Sequence, residues 1–245
     1  NQETTAVLDG DEWVINGSKI FISNGGVSDF ALIIASTNRA SKIRGLSAFI
    51  IDKGTPGFTV GVKENKLGIR ASNTAELVFQ NCRIPKDNMV STPGRGFRIA
   101  MDTLDGGRIG VGAQGTGVAR AAYEAALKYA RERKQFNTHL ADFQGINHKL
   151  AEMKMEIETA RLLTWHAAWL KENKKRYSKE AAMAKLYGSE MATRIAHQSL
   201  QILGGYGFIK DYPVERYYRD ARILELYEGT SEVQRMVIAS HVLGV

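Results

Sequence analysis

Asn88-Met89-Val90-Ser91-Thr92-Pro93-Gly94-Arg95-Gly96-Phe97-Arg98-Ile99-Ala100-Met101-Asp102-Thr103-Leu104 is where the chain changes its period. Before Pro93-Gly94 the apolar residues come in short runs separated by glycine and proline. After it they recur at intervals of three and four, the spacing of a helix face. Three of the four prolines lie at or before Pro93, and the exception is Pro213.

Towards the N-terminus the runs read as strands. Glu12 to Ile15 leads into Asn16-Gly17, a dipeptide favoured in tight hairpin turns because both residues tolerate positive φ. Lys19 to Ile22 then reads as the return strand. Ala31–Ala35, Leu46–Ile51, Phe58–Val62 and Glu76–Phe79 are further short runs, with no helical pattern between them. Such spacing predicts an antiparallel sandwich or barrel over residues 1–94.

Towards the C-terminus, Tyr123, Leu127 and Ala130 follow a helical spacing. So do Leu150, Met153, Ile157, Ala160 and Leu163, and then Met191, Ile195, Ser199 and Ile202. Long amphipathic helices with short polar links predict an up-and-down four-helix bundle over residues 95–245. The fold class is therefore α+β.

Composition narrows the function classes. The 245 residues are 44% hydrophobic and 24% charged, ordinary for a globular protein. The lone cysteine, Cys82, excludes an internal disulfide and fits a reducing compartment. No apolar run is long enough to cross a bilayer, and the opening residues lack the shape of a signal peptide. Membrane insertion is not expected. Of the net charge of +7, residues 1–94 carry 10 Lys and Arg against 9 Asp and Glu, and the remainder 23 against 17. The basic residues alternate with acidic ones, as on solvated helices, which argues against nucleic acid; a modest positive field would also suit a phosphate-rich ligand.

Gly110-Val111-Gly112-Ala113-Gln114-Gly115 matches the dinucleotide pattern G-x-G-x-x-G. That pattern needs a strand before it and a parallel sheet around it. Here helical sequence flanks it on both sides, so the glycines read as a close-packing point between helices. The five histidines lack metal-ligand spacing, so no metal is expected. Ser23 and Ser231 lack a neighbouring His with a supporting acid, which leaves acyl-enzyme chemistry without a basis.

Five segments, in order, carry a family resemblance. They are Gly17-Ser18-Lys19-Ile20-Phe21-Ile22-Ser23-Asn24-Gly25, Arg131-Glu132-Arg133-Lys134-Gln135-Phe136, Phe143-Gln144-Gly145-Ile146, Gln201-Ile202-Leu203-Gly204-Gly205-Tyr206-Gly207, and Tyr227-Glu228-Gly229-Thr230-Ser231-Glu232-Val233-Gln234-Arg235. Together they resemble the acyl-CoA dehydrogenases, most of all the butyryl-CoA, short-chain type. The resemblance implies FAD as cofactor, an acyl-CoA substrate and a middle β domain followed by a helical bundle. It also implies a homotetramer, a dimer of dimers, in which FAD is shared across subunits. Electrons are expected to pass to electron-transfer flavoprotein.

The resemblance also implies roles for single residues. Taken alone, Glu228 reads first as a carboxylate near the start of a helix running to Leu243, with Thr230 or Ser231 as the cap. The resemblance makes it the base that removes the proton α to a thioester carbonyl. Some relatives carry that base on another helix, just before an arginine. The matching position here is Gly107, which cannot act as a base. Asp105 and Arg108 resemble residues that contact the acyl-CoA, and otherwise read as a helix-surface ion pair. Tyr227 and Gly229 flank the base and are expected beside the substrate.

Phe21, Ile22 and Ser23 resemble the strand lying against the flavin ring, although many members have Trp where this chain has Phe21. Thr230 and Glu232 resemble residues near the cofactor's phosphates and adenosine; Glu232 also suits a first helical turn by its charge. Arg133, Phe136, Gln144, Gln201, Gly204 and Gly205 resemble the part of the site that reaches the neighbouring subunit's cofactor. Otherwise Gln201 reads as a polar helix-end residue and the glycines as terminators.

The family's N-terminal helical domain has no counterpart in the sequence, so a fragment of a longer protein is expected, and the isolated piece is expected to be weakly active or inactive. The expected compartment is the bacterial cytoplasm, or the mitochondrial matrix in a eukaryote. Two rivals stand beside this reading: an acyl-CoA oxidase on the same fold, and a non-catalytic oligomerisation module.

Overall fold

A computed structural model describes residues 2–244. They form two compact units. One comprises the chain up to Lys66 with Arg70–Thr103; the other comprises Leu67–Ile69 with the chain from Leu104 onward.

The first unit holds seven strands: β1 (Thr5–Asp9), β2 (Glu12–Ser23), β3 (Phe30–Ser36), β4 (Leu46–Asp52), β5 (Phe58–Lys63), β6 (Thr74–Pro85) and β7 (Met89–Val90). They hydrogen-bond in the order β5-β6-β2-β1-β3-β4-β7. Every pairing is antiparallel except one parallel bridge, Thr5 to Ser36, between β1 and β3. The sheet coils around its own core. Trp13 of β2 and Phe49 of β4 meet edge to face at 5.3 Å. Those strands are three places apart in the sheet, about 14 Å if it were flat.

The hairpin turn is not at Asn16-Gly17, as the dipeptide suggested. β2 runs through it, and the turn is Gly10-Asp11, with Asp9 paired to Glu12 and Gly10 at φ +62°. Asn16-Gly17 marks a bulge instead. Between the pairs Ile15–Cys82 and Gly17–Phe79, β6 carries one extra residue. The extra length places Asn81 at φ +46°, and its N–H donates to Asn16 Oδ1 at 2.8 Å. The bulge switches the buried face of β6 from Ala75, Leu77 and Phe79 to Cys82 and Ile84. At Gly17 a β-carbon would lie 2.8 Å from the Thr4 Cα, so the strands close only over glycine there.

The helices are α1 (Gly96–Glu132), α2 (Gln144–Glu172), α3 (Ser178–Leu203), α4 (Gly205–Phe208), α5 (Val214–Ala221) and α6 (Ser231–Leu243). A two-stranded hairpin, β8 (Lys134–Gln135) and β9 (Thr138–His139), separates α1 from α2. The core of the second unit takes Leu150, Met153, Ile157 and Ala160 from α2, and Met191, Ile195 and Ile202 from α3. The α1 contribution is mostly alanine, at 119, 122, 126 and 130, with Tyr123 and Leu127 on the flank.

Small residues bring α1 and α3 close. A β-carbon on Gly112 would meet the Ala184 carbonyl at 3.0 Å, and one on Gly115 would strike the Gly188 carbonyl. The G-x-G-x-x-G stretch is thus a helix-packing point. The return along α3 is made by α5 and a 3-10 turn at Arg222–Glu225. Thr193 Oγ1 meets Glu225, whereas Lys185, further back on α3, meets Gly229.

Candidate active site

The segment from Leu226 to Thr230 leaves the 3-10 turn and enters α6, and its backbone is strained. Glu228 has φ +55° and Gly229 φ +93°. A left-handed non-glycine residue costs on the order of 1–3 kcal/mol and persists only where its surroundings hold it. Here they do. Lys185 Nζ donates to the Gly229 carbonyl at 2.6 Å. Gln234 Nε2 donates to the same oxygen at 2.9 Å and to the Glu228 carbonyl at 3.1 Å. The Tyr227 hydroxyl donates to Gln114 Oε1 of α1. The Thr230 side chain accepts from Val233 N–H as the N-cap of α6, and Glu232 sits in the first turn.

The turn presents the half-buried Glu228 side chain to α1 beside Gly107, where a β-carbon would lie 2.5 Å from Oε2. Arg108, the next residue, is buried; its Nη1 donates to Asp105 Oδ1 at 2.6 Å. The Arg108 Nε is buried with no hydrogen-bond partner among the described residues.

Burial pushes the Glu228 carboxyl above its ordinary pKa, opposed first by Arg108 and then by Lys185. Lys185 is itself fully buried, and that burial lowers its pKa to about 8 despite the attraction of Glu225. A desolvated carboxylate on a held turn, facing a position without a side chain, is equipped to take a proton from a weak carbon acid.

Asp105, Arg108, Tyr227, Glu228 and Gly229 thus come together. Arg133, Gly204 and Gly205 line a separate cleft of about 540 Å³ with Tyr129 and Tyr206. The Arg133 guanidinium lies 5.6 Å from the Tyr206 ring centre, and no carboxylate pairs with it among the described residues. Gln144 and Gln201 are exposed and do not line this cleft. Neither does Phe136, which is 89% exposed at the tip of the β8–β9 turn with φ +53°. Gly204, at φ +59°, terminates α3.

In the first unit, Phe21, Ile22 and Ser23 close β2 at a second register shift, between Lys19 and Ile22; Phe21 has φ +58° and is 67% exposed.

Reading the sequence missed Lys185, Gln234 and Gln114. Lys185 did leave a signal: it shares a helix face with Ala181, Gly188 and Ala192, all buried.

A curled β sheet followed by a helical bundle, with a half-buried carboxylate held on a strained turn, defines an α+β protein of two compact units. The chain belongs to the acyl-CoA dehydrogenase family. The family profile described as acyl-CoA dehydrogenase, C-terminal domain, matches residues 94–243, and that of the acyl-CoA dehydrogenase middle domain matches residues 1–82.

The chain is 55% identical over 240 residues to the mitochondrial short-chain specific acyl-CoA dehydrogenase of Mus musculus, covering 98% of this chain and 58% of that protein. It is 53% identical over 241 residues to the short-chain specific acyl-CoA dehydrogenase of Clostridium acetobutylicum, covering 98% and 64%. Butyryl-CoA dehydrogenase from Megasphaera elsdenii superposes with a TM-score of 0.97 at 49% identity, covering 99% of this chain and 63% of that one. The chain therefore spans about three-fifths of these relatives. Among the described residues no helix is long and apolar enough to cross a membrane.

Acyl-CoA dehydrogenases are FAD flavoproteins. FAD needs a flat apolar contact for its ring and cationic or N–H contacts for its pyrophosphate. The chain offers an exposed aromatic on a kinked strand, Phe21. It also offers Arg133, which has no carboxylate partner among the described residues, beside Gly204 and Gly205, where a β-carbon would meet nothing within 4 Å. Each unit by itself thus carries a contact of a kind such a group needs: Phe21 in the first for a ring, Arg133 in the second for a phosphate.

Proposed function

We propose that this chain carries the base and much of the flavin site of an acyl-CoA dehydrogenase that converts a short-chain acyl-CoA to its trans-2-enoyl-CoA. The observation that carries the reading is the Glu228 carboxylate, desolvated and held over Gly107. Glu228 takes the proton from the carbon α to the thioester carbonyl, the α,β double bond forms, and hydride leaves the β carbon. Bound FAD supplies the hydride acceptor at flavin N5.

The chain's own residues orient and desolvate. Tyr227 and Gly229 border the acyl group, and Asp105 with Arg108 contacts the acyl-CoA. Phe21, Ile22 and Ser23 would hold the flavin ring, with Thr230 and Glu232 near the phosphates and adenosine. Arg133, Phe136, Gln144, Gln201, Gly204 and Gly205 would hold the cofactor of a neighbouring subunit in a dimer of dimers. An aromatic side chain on an exposed left-handed turn, as at Phe136, is costly unless something covers it. Residues 1–94 would act as the middle β domain and residues 95–245 as the bundle. Electron-transfer flavoprotein is the proposed acceptor, and the bacterial cytoplasm or mitochondrial matrix the proposed compartment.

Anaerobic mixing of the FAD-loaded intact protein with butyryl-, hexanoyl- and octanoyl-CoA tests the reading. Bleaching of the flavin, fastest with the shortest thioester, is expected. A flavin untouched by every thioester would overturn it. Rapid oxygen consumption without an added acceptor would instead favour an oxidase.

A further inference from the structure

We propose that Lys185 is a positioning residue for the base: its buried ammonium, together with Gln234, clamps the Gly229 carbonyl and so holds the left-handed turn that points Glu228 at Gly107. This rests on the reading of Glu228 as the base.

The argument starts from an anomaly in α3. Lys185 has no exposed surface and lies on the helix face of Ala181, Gly188 and Ala192, where an apolar residue would pack without cost. Burying an ammonium is expensive unless its donors are used. Lys185 uses one on the Gly229 carbonyl at 2.6 Å, and Gln234, equally buried, gives its amide to the same oxygen and to the Glu228 carbonyl. Both lone pairs of the Gly229 carbonyl are thereby taken. The clamped residues are the two with positive φ in this segment, Glu228 and Gly229. α3 is thereby fastened to the turn carrying the carboxylate.

The charges that act on Lys185 come from four segments. Arg108 faces it from α1, Glu190 from α3, Glu225 from the 3-10 turn and Glu228 from the clamped turn. Lys185 and Arg108 both favour the ionised form of Glu228, against burial. Loss of the Lys185 charge should therefore move the titration of the base as well as its position.

The test compares Lys185→Met and Gln234→Leu with wild type in the FAD-loaded intact protein. It reads the anaerobic rate of flavin reduction by butyryl-CoA across pH, and the apparent affinity for the thioester. Lys185→Met should slow reduction at least about tenfold, with affinity changed less than about threefold, because misplacing a reacting group costs rate before binding. Its acid limb should move to higher pH. Gln234→Leu removes a neutral donor and should slow reduction with a smaller movement of the limb.

A Lys185→Met protein that reduces flavin at the wild-type rate, or more slowly with an unmoved limb, overturns the proposal. Should Lys185→Met not retain FAD, Gln234→Leu decides: a wild-type rate overturns the clamp, and a fall of about tenfold supports it. A wild-type protein that no acyl-CoA reduces removes the reading of Glu228 instead, so the two failures are distinct.

Discussion

The Glu228 carboxylate covers the Cα of Gly107: a β-carbon built there would sit 2.5 Å from Oε2 and 3.0 Å from Cδ. Two residues 121 positions apart in sequence share one place, and only one of them can bring a side chain to it. Gly107→Ala should therefore displace the carboxylate. Flavin reduction by butyryl-CoA should fall about a hundredfold, since a displacement of about 1 Å has that effect at a reacting centre. The same geometry predicts that Gly107→Glu combined with Glu228→Gly recovers part of the activity that Glu228→Gly alone loses. No recovery would show that the two positions do not serve one reacting carbon.

As the proposed base, Glu228 would act only when ionised, and burial raises its pKa above the ordinary carboxylate value. The rate of flavin reduction should therefore be lost as pH falls through a value above about 4.3, the usual glutamate pKa. Arg108 is the leading group opposing that rise. Arg108→Met should shift the limb further up, measured by single-turnover kinetics across pH. A limb at or below the ordinary value would contradict the desolvated environment.

The same shift has a consequence for stability. A carboxyl whose pKa is raised by folding stabilises the fold below its unfolded pKa, and that contribution is lost as pH rises through the folded pKa. At neutral pH the ionised Glu228 therefore opposes folding. Glu228→Gln should melt higher than wild type at neutral pH, and the gap should close in acid. Calorimetry of both proteins across pH measures this, and a lower Tm for Glu228→Gln at neutral pH would contradict it.

Arg133 lines its cleft without a carboxylate partner among the described residues, so its role is expected to depend on a bound anion. Arg133→Met should weaken FAD retention roughly tenfold to a hundredfold, the range for losing a charge-assisted hydrogen bond. The oligomer should dissociate at higher protein concentration in step with cofactor loss, because a ligand held by two subunits links the equilibria. FAD loss with an unaltered oligomer would contradict the shared site.

Much of the fold was legible because period is a local property. The change at Pro93-Gly94 is followed by α1 at Gly96, and the runs at Ala31, Leu46 and Phe58 are β3, β4 and β5. The hairpin was misread because Gly10-Asp11 and Asn16-Gly17 are both dipeptides of turn-favouring residues. What separates them is the pairing of Ile15 with Cys82, which keeps β2 running through Asn16-Gly17 and is visible only once β6 is in place. The site divides likewise. Glu228 was accessible through resemblance to a family. Lys185, Gln234 and Gln114 make contacts 5 to 113 positions away; the helix face of Lys185 hints at its burial, but no local pattern records these partners.

The account stands on Glu228 removing the α proton. In the FAD-loaded intact protein, Glu228→Gln should keep its flavin spectrum and still bind butyryl-CoA, yet reduce flavin about a thousandfold more slowly than wild type, within the range that a positioned base contributes. A Glu228→Gln protein that bleaches its flavin within a few-fold of the wild-type rate would contradict it.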